Sequence, residues 1–278
     1  MNEIKKVLTI AGSDSGGGAG IQADIKTITA FGMYAETAIT ALTAQNTTGV
    51  HGIFDVPSDF IGEQLDAVFG DLRPDSVKIG MVSNAAAIRV IASKLLKYRA
   101  KNVVIDPVLV SSSGRRLLNE EAEGELIRTL LPLGTVVTPN LPEVRALCAI
   151  AAESEEEMRH AAMEMAKTLP GAILIKGGHL AGEAVDLLYH KTKFTRYASE
   201  RVNTENSHGT GCTLSSAIAC GLAAGLTIEE SVGKAKEYLT GALRASLPFG
   251  QGSGPLNHMY SFKSFFESVP PKRAGYSD

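Results

Sequence analysis

Two glycines flank a threonine in Gly209-Thr210-Gly211, and Cys212 follows where an apolar helix of small residues is predicted to begin. Leu214, Ile218 and Leu222 recur at i, i+4 and i+8, so they share one face of that helix. A glycine-rich turn entering a helix leaves backbone N–H groups unpaired at the positive end of the helix dipole, which suits an anion. The same field is expected to lower the pKa of a thiol in the first turn. Residues 209–212 thus offer an anion hole and a base within one turn of chain. The plainer alternative is a glycine loop beside a structural cysteine.

Other chemically capable groups come directly after predicted strands, which is where open α/β sheets bind ligands. The run Gly12-Ser13-Asp14-Ser15-Gly16-Gly17-Gly18-Ala19-Gly20 follows a strand at residues 7–10. Gly12 and Gly17 have Walker A spacing, but Lys and Ser/Thr are missing after them, and Ile21 takes the third glycine's place in a dinucleotide fingerprint. A substrate-contacting loop fits that position better than either motif. Asp106-Pro107 follows residues 103–105, with Ser111-Ser112-Ser113-Gly114 close behind. A carboxylate there suits a metal or a phosphate-bound cation, although Asp before Pro is also a turn residue.

Asn140 and Glu143 stand three apart at a helix start with Pro142 in the first turn. An oxygen-only pair suits Mg²⁺ with its retained waters. The same residues also read as an N-cap with its capping-box partner. Lys176-Gly177-Gly178-His179 follows residues 173–175, and a lysine beside glycines can approach a polyphosphate or lie solvated. Together these groups outline a nucleoside triphosphate site without a P-loop.

Short β-branched runs alternate with helix-period segments almost throughout. Strands are predicted at 7–10, 38–43, 76–79, 103–105, 136–138 and 173–175, several continuously apolar as in parallel strands covered on both faces. Ile21, Ile25 and Ile28 line one helix, Ile61, Leu65 and Val68 another, and Ile88, Ile91 and Leu95 a third. Ser58 and Ser83 are placed as N-caps, and Thr227 to Glu230 has capping-box spacing. Residues 185–189 and 194–197 read as an antiparallel hairpin, and 50–56 as a further short strand. The expected fold class is α/β, a three-layer αβα sandwich with a mostly parallel central sheet. One domain over residues 1–278 is expected, with a loose tail from about 268.

The 278 residues are 44% hydrophobic and 21% charged, as in a globular chain, with a net charge of −3 and no long basic run. Nucleic acid and membrane are therefore not expected partners. Neither a secretory signal nor a membrane span is expected. Cys148, Cys212 and Cys220 are odd in number and lack CxxC spacing, which favours a reducing cytoplasm over a zinc or disulfide framework.

Several blocks stand in family order: residues 8–14, 17–24, 39–47, 78–81, 138–143, 176–179, 208–213 and 254–258. Through them the chain resembles the ribokinase-like superfamily, and within it the hydroxymethylpyrimidine/phosphomethylpyrimidine kinases of thiamine biosynthesis. The resemblance implies ATP- and Mg²⁺-dependent phosphorylation of 4-amino-5-hydroxymethyl-2-methylpyrimidine and then of its monophosphate, and a homodimer. It implies that Gly209, Thr210 and Gly211 shape the anion hole and that Cys212 stands where sugar kinases of the superfamily carry an aspartate base. It also implies that Asn140, Glu143 and Asp106 organise Mg²⁺ and phosphates, while Lys176, Thr138 and Gly178 contact the nucleotide.

For the acceptor, the resemblance brings Gly12, Ala19, Asp24, Thr43, Met81 and Val108 to the ring pocket. Gln45 carries the choice of ring, because a carboxamide can accept from an exocyclic amine while donating to the adjacent ring nitrogen. Related pyridoxal kinases carry Met there and lack the lysine of Lys176-Gly177-Gly178-His179, so pyridoxal phosphorylation is the runner-up activity. A non-catalytic metabolite sensor is the other alternative, against which the intact Gly209–Cys212 turn argues. Thr43 departs from the Val of some members by adding a hydroxyl. Ser111-Ser112-Ser113-Gly114-Arg115-Arg116 departs where several relatives have a lysine, so no lysine clamp is assigned there.

Overall fold

A computed structural model describes residues 3–109, 118–178 and 183–262. The expectations for Ser111 to Arg116, for His179 and for the tail from 268 lie outside the described residues. Nine strands form one sheet: β1 (Lys6–Asp14), β2 (Tyr34–Asn46), β3 (Gly49–Asp55), β4 (Ser76–Ile79), β5 (Val103–Ile105), β6 (Val136–Val137), β7 (Ala172–Gly177), β8 (Ala184–His190) and β9 (Lys193–Ser199). Their order is β3-β2-β1-β4-β5-β6-β7-β8-β9. From β2 to β7 all neighbours are parallel, and β3, β8 and β9 pair antiparallel at the two edges. Every strand predicted from sequence is present, including the late hairpin and β3.

The helices are α1 (Gly20–Ala30), α2 (Ser58–Asp71), α3 (Ala85–Tyr98), α4 (Glu120–Glu125), α5 (Leu141–Cys148), α6 (Glu155–Met165), α7 (Thr210–Ala223) and α8 (Ile228–Arg244). Alternation along the strands sends side chains to opposite faces. Leu8, Ile10, Val103, Ile105, Ile173 and Ile175 join a core with Ile61, Leu65, Ile88, Ile91 and Met158 of α2, α3 and α6. Val7, Val104, Val136 and Leu174 join a second core with Ile28, Leu214, Ile218, Val232 and Leu239 of α1, α7 and α8. Two apolar faces per strand explain the continuous apolar runs, and the result is the three-layer αβα sandwich.

Two cap assignments need correction. Pro57, not Ser58, holds the N-cap position of α2. At α3 the cap is Asn84, whose Oδ1 accepts from Ala87 N–H at 2.9 Å, leaving Ser83 one residue outside. Asn and Ser cap about equally well, so the residue that sets the helix start wins by position. The Thr227–Glu230 capping box forms as expected.

The strand order reverses about β1: β2 lies on one side of it and β4 on the other. Ligands in open α/β sheets bind beyond the carboxyl ends at such a switch point. The end of β1 with the loop that runs on to Gly20, Gly80 and Met81 after β4, and Asp106 after β5 all lie there.

Candidate active site

Two glycine loops meet backbone to backbone beyond β1. Gly209 has φ +91°, and a Cβ on it would drive into the Gly18 carbonyl oxygen. Gly20, with φ +55°, turns the chain into α1 against the Gly12 carbonyl. Larger residues would separate the loops. No side chain caps α7, whereas α3, α5, α6 and α8 all use one. The start of α7 therefore presents its N–H groups beside the first loop, as an anion would require. Gly209 is the N-cap residue of α7, and Thr210 and Gly211 begin its first turn.

An ionic cluster lies beside this turn. Lys176 Nζ is 2.6 Å from Asp106 Oδ1 and 3.9 Å from Glu143 Oε2. Gly211 packs against both Asp106 and Lys176, with space for a Cβ only 3.1 Å from the Asp106 carboxylate. Burial raises the Glu143 pKa against the pull of Lys176, and the Asp106 charge adds to the rise. Burial works against the Lys176 charge, but Asp106 and Glu143 more than offset it and hold the ammonium above its ordinary range. Gly178, by contrast, is exposed at the far end of β7.

Cys212 departs from expectation in its acidity. Burial pushes its thiol up to about 11; Lys78 pulls downward, while Asp24 and Asp106 push further up. Desolvation and two carboxylates outweigh the helix field, so the thiol is not the lowered one that the glycine turn suggested.

Asp24 also differs from expectation. It is fully buried, and its carboxylate accepts from Lys78 Nζ at 2.8 Å, Thr9 Oγ1 at 2.6 Å and Ser216 Oγ at 2.7 Å. These partners commit the carboxylate to Lys78, Thr9 and Ser216 and make it the counter-ion beneath the site. Thr138 is likewise fully buried, and its Oγ1 donates to Asp106 Oδ1 at 3.2 Å, so it orients that carboxylate. Asn140 and Glu143 form the capping box of α5: Asn140 Oδ1 accepts from Glu143 N–H, and Glu143 Oε2 from Asn140 N–H. Asn140 Oδ1 is thereby committed to the helix, while the Glu143 carboxylate still faces Lys176.

On the other side of the loops, Thr43 and Gln45 occupy the end of β2. The Gln45 amide spans 3.1 Å to Thr43 Oγ1 and 3.2 Å to His208 Nε2. His208 precedes Gly209 directly, and its Nε2 lies 2.9 Å from Asp14 Oδ2. Asp14 gathers its own loop by accepting from the N–H groups of Gly16, Gly18 and Ala19. Burial opposes the Asp14 charge, but His208 and these N–H groups outweigh it and hold the carboxyl below its ordinary range. Gly12 packs against Met81, with room for a Cβ 3.3 Å from Met81 Cε. Ala19, Met81 and Val108 are half-buried at the carboxyl ends of the strands, with Val108 N–H turned back to the Asp106 carbonyl.

Lys78, Asp14 and His208 were missed by the sequence reading. Lys78 had a signal: a lysine inside the four-residue strand β4, all of it buried, must have a counter-ion. Asp14 and His208 lie 194 residues apart, and no local pattern announces their pairing.

Fold, glycine turns and ionic cluster define a small-molecule phosphotransferase on a ribokinase-like sandwich, and the comparisons agree. The model of the phosphomethylpyrimidine kinase family matches residues 14–257. The chain is 50% identical over 257 residues to a hydroxymethylpyrimidine/phosphomethylpyrimidine kinase of Rhizobium meliloti, covering 91% of this chain and 96% of that protein. It is 50% identical over 254 residues to the thiamine biosynthesis bifunctional protein ThiED of Geobacter sulfurreducens, covering 91% of this chain but 52% of that protein. The chain thus spans about half of that bifunctional relative. Among solved structures, the ADP complex of Bacillus subtilis pyridoxal kinase superposes with a TM-score of 0.86 at 36% identity, over 93% of this chain and 99% of that one. The chain belongs to the phosphomethylpyrimidine kinase family.

Proposed function

We propose that this chain transfers the γ-phosphoryl group of ATP to the hydroxymethyl oxygen of 4-amino-5-hydroxymethyl-2-methylpyrimidine, and then phosphorylates the monophosphate to the diphosphate. One observation carries the reading. Gln45, suited to a 4-aminopyrimidine edge, contacts His208, the residue immediately before the Gly209–Cys212 turn. Acceptor recognition and phosphate stabilisation are therefore neighbours. Phosphoryl transfer needs mainly positioning and charge stabilisation.

In this reading the first-turn N–H groups of α7 and Lys176 stabilise charge on the transferred group. Cys212 takes the hydroxyl proton, as a thiolate that is scarce at neutral pH but strongly basic once formed. Lys78 favours that thiolate. Among the described residues no group of three or more His, Cys, Asp or Glu gathers to hold a metal. Asp106 and Glu143 offer two carboxylates against the single ammonium of Lys176, a surplus of negative charge that fits Mg²⁺ keeping several waters. They are the residues that would hold it, and Mg²⁺ would supply charge neutralisation for the phosphates. The ADP complex of the pyridoxal kinase relative supports an adenine nucleotide as donor.

A parallel kinase assay on hydroxymethylpyrimidine, its monophosphate and pyridoxal tests the reading. The expected result is turnover of both pyrimidines with kcat/KM above that for pyridoxal. The structural likeness to a pyridoxal kinase favours pyridoxal as a second substrate, and preferential turnover of pyridoxal would overturn the assignment. No helix among the described residues is long and apolar enough to cross a membrane. We read the chain as one folding unit forming a cytoplasmic homodimer, checked by a single unfolding transition, sedimentation and cell fractionation.

A further inference from the structure

We propose that His208, anchored by Asp14, is a positioning residue that fixes which end of the Gln45 amide is oxygen and so sets a preference for a 4-amino over a 4-oxo pyrimidine. This rests on the reading of Gln45 as the ring-edge contact and deepens it. The argument is a proton count. Asp14 already accepts from three backbone N–H groups, so its 2.9 Å contact with His208 Nε2 requires the ring nitrogen to donate. That holds for the neutral Nε2–H ring and for the imidazolium alike.

Drawn with Nε2 toward the ring and Oε1 toward Thr43, the amide sets two donors against each other at 3.2 Å. At its other end it asks the single Thr43 hydroxyl proton to serve both Gln45 and the Ser13 carbonyl, which lies 2.9 Å away. Turning the amide over replaces the donor–donor clash with an oxygen facing the Nε2–H as a second, longer acceptor beside Asp14. The nitrogen then donates to Thr43 Oγ1, whose own proton goes to Ser13 alone. Carboxamide ends are told apart by such partners.

The ring is seated to hold this arrangement. Gly18 passes against His208 Cδ2 so closely that a Cβ there would collide, and His208 N–H donates to the Gly254 carbonyl. With its two flanks committed, the amide keeps one lone pair and one N–H on its outer edge. That edge accepts from an exocyclic amine and donates to the adjacent ring nitrogen, as Gln does with adenine. A 4-oxo ring offers an acceptor and an N–H at the same places and meets both the wrong way round. The added hydroxyl of Thr43 gains a purpose as the amide's second anchor.

The test measures kcat/KM for 4-amino-5-hydroxymethyl-2-methylpyrimidine and for its 4-oxo analogue in the full chain. Wild type should prefer the amine, and Gln45→Met should abolish the preference. His208→Phe keeps the ring shape without the donor and should reduce the amino/oxo ratio about 10-fold or more, mainly through KM. His208→Gln, which restores an N–H donor, should stay within about 3-fold of wild type, since a donor of either kind satisfies the amide oxygen. If His208→Phe weakens both substrates equally with the ratio intact, His208 is only structural and the inference fails while the Gln45 reading stands. If wild type and Gln45→Met share the same ratio, the Gln45 reading fails and the inference with it.

Discussion

The two sides of the glycine loops are built from different chemistry. On the α7 side the groups are ionic and largely buried: Lys176, Asp106 and Glu143 around Gly211, with Lys78 and Asp24 beneath Cys212. On the β2 side the reading group is a neutral, half-buried amide between a hydroxyl and an imidazole. Charge acts over several ångströms and tolerates different acceptors, so it serves transfer. An amide discriminates only at contact distance and through its donor–acceptor order, so it serves recognition. Changes on the first side should alter rate with preference kept, and changes on the second should do the reverse.

The largest expected effect is at Cys212. Cys212→Ala should lower kcat by about 10²–10⁴-fold while leaving the pyrimidine-to-pyridoxal ratio unchanged. Because burial holds the thiol near 11, wild-type kcat/KM should climb through the alkaline range as the thiolate fraction grows. Cys212→Asp carries an intrinsically far more acidic group in the same surroundings, so its profile should level off at a lower pH than that of wild type. A Cys212→Ala enzyme of full rate, or one whose substrate ratio moved, would break the division.

Next comes Lys78. Lys78→Met leaves Asp24 buried without its counter-ion and should destabilise the fold by about 3–5 kcal/mol, read as a lower urea midpoint. Thr9 and Ser216 still donate to Asp24, which keeps the loss toward the lower end. Lys78→Met with Asp24→Leu should recover much of it. If the single variant matched wild type in stability, the buried pair would not be what holds α1 to β4.

Gln45→Met should cost about 1–3 kcal/mol of discrimination for the 4-amino ring with kcat little changed. Competition between hydroxymethylpyrimidine and pyridoxal reads this directly. A fall in kcat with the ratio preserved would move Gln45 to the transfer side.

Much of this was legible because local periodicity carries it. The strands, the late hairpin and the Thr227–Glu230 box need only neighbours in sequence. The glycine turn at 209–211 was legible because its conformation demands the residue type. What escaped depends on long-range partners. The partners of Asp24 are remote: Lys78 lies 54 residues on and Ser216 lies 192 residues on, so its ion pair has no local signature. Cys212 looked acidic because the helix start is local, whereas the desolvation that overrides it comes from the packed loops around it. Asn140 and Glu143 admitted both cap and ligand readings, and the structure shows the cap together with a carboxylate facing Lys176.

The smallest effect concerns a carboxylate that the comparison leaves over. Glu36 on β2 is buried like Asp24, but neither of its oxygens has a hydrogen-bond partner among the described residues. Burial raises its pKa to about 7, with Lys6 opposing and Asp75 adding to the rise. A carboxyl raised on folding contributes stability that is fully present below its unfolded value of 4.5 and is lost as pH climbs through 7. Asp24, by contrast, has an ammonium and two hydroxyls as partners. Wild type should therefore lose about 1–3 kcal/mol between pH 4.5 and 8 from Glu36 alone. Glu36→Gln mimics the protonated group and should flatten that slope, so the urea midpoints of the two proteins converge at pH 5 and separate at pH 8 in favour of the variant. Parallel curves would mean that Glu36 finds a counter-charge in solution, and that burial without a partner does not separate it from Asp24.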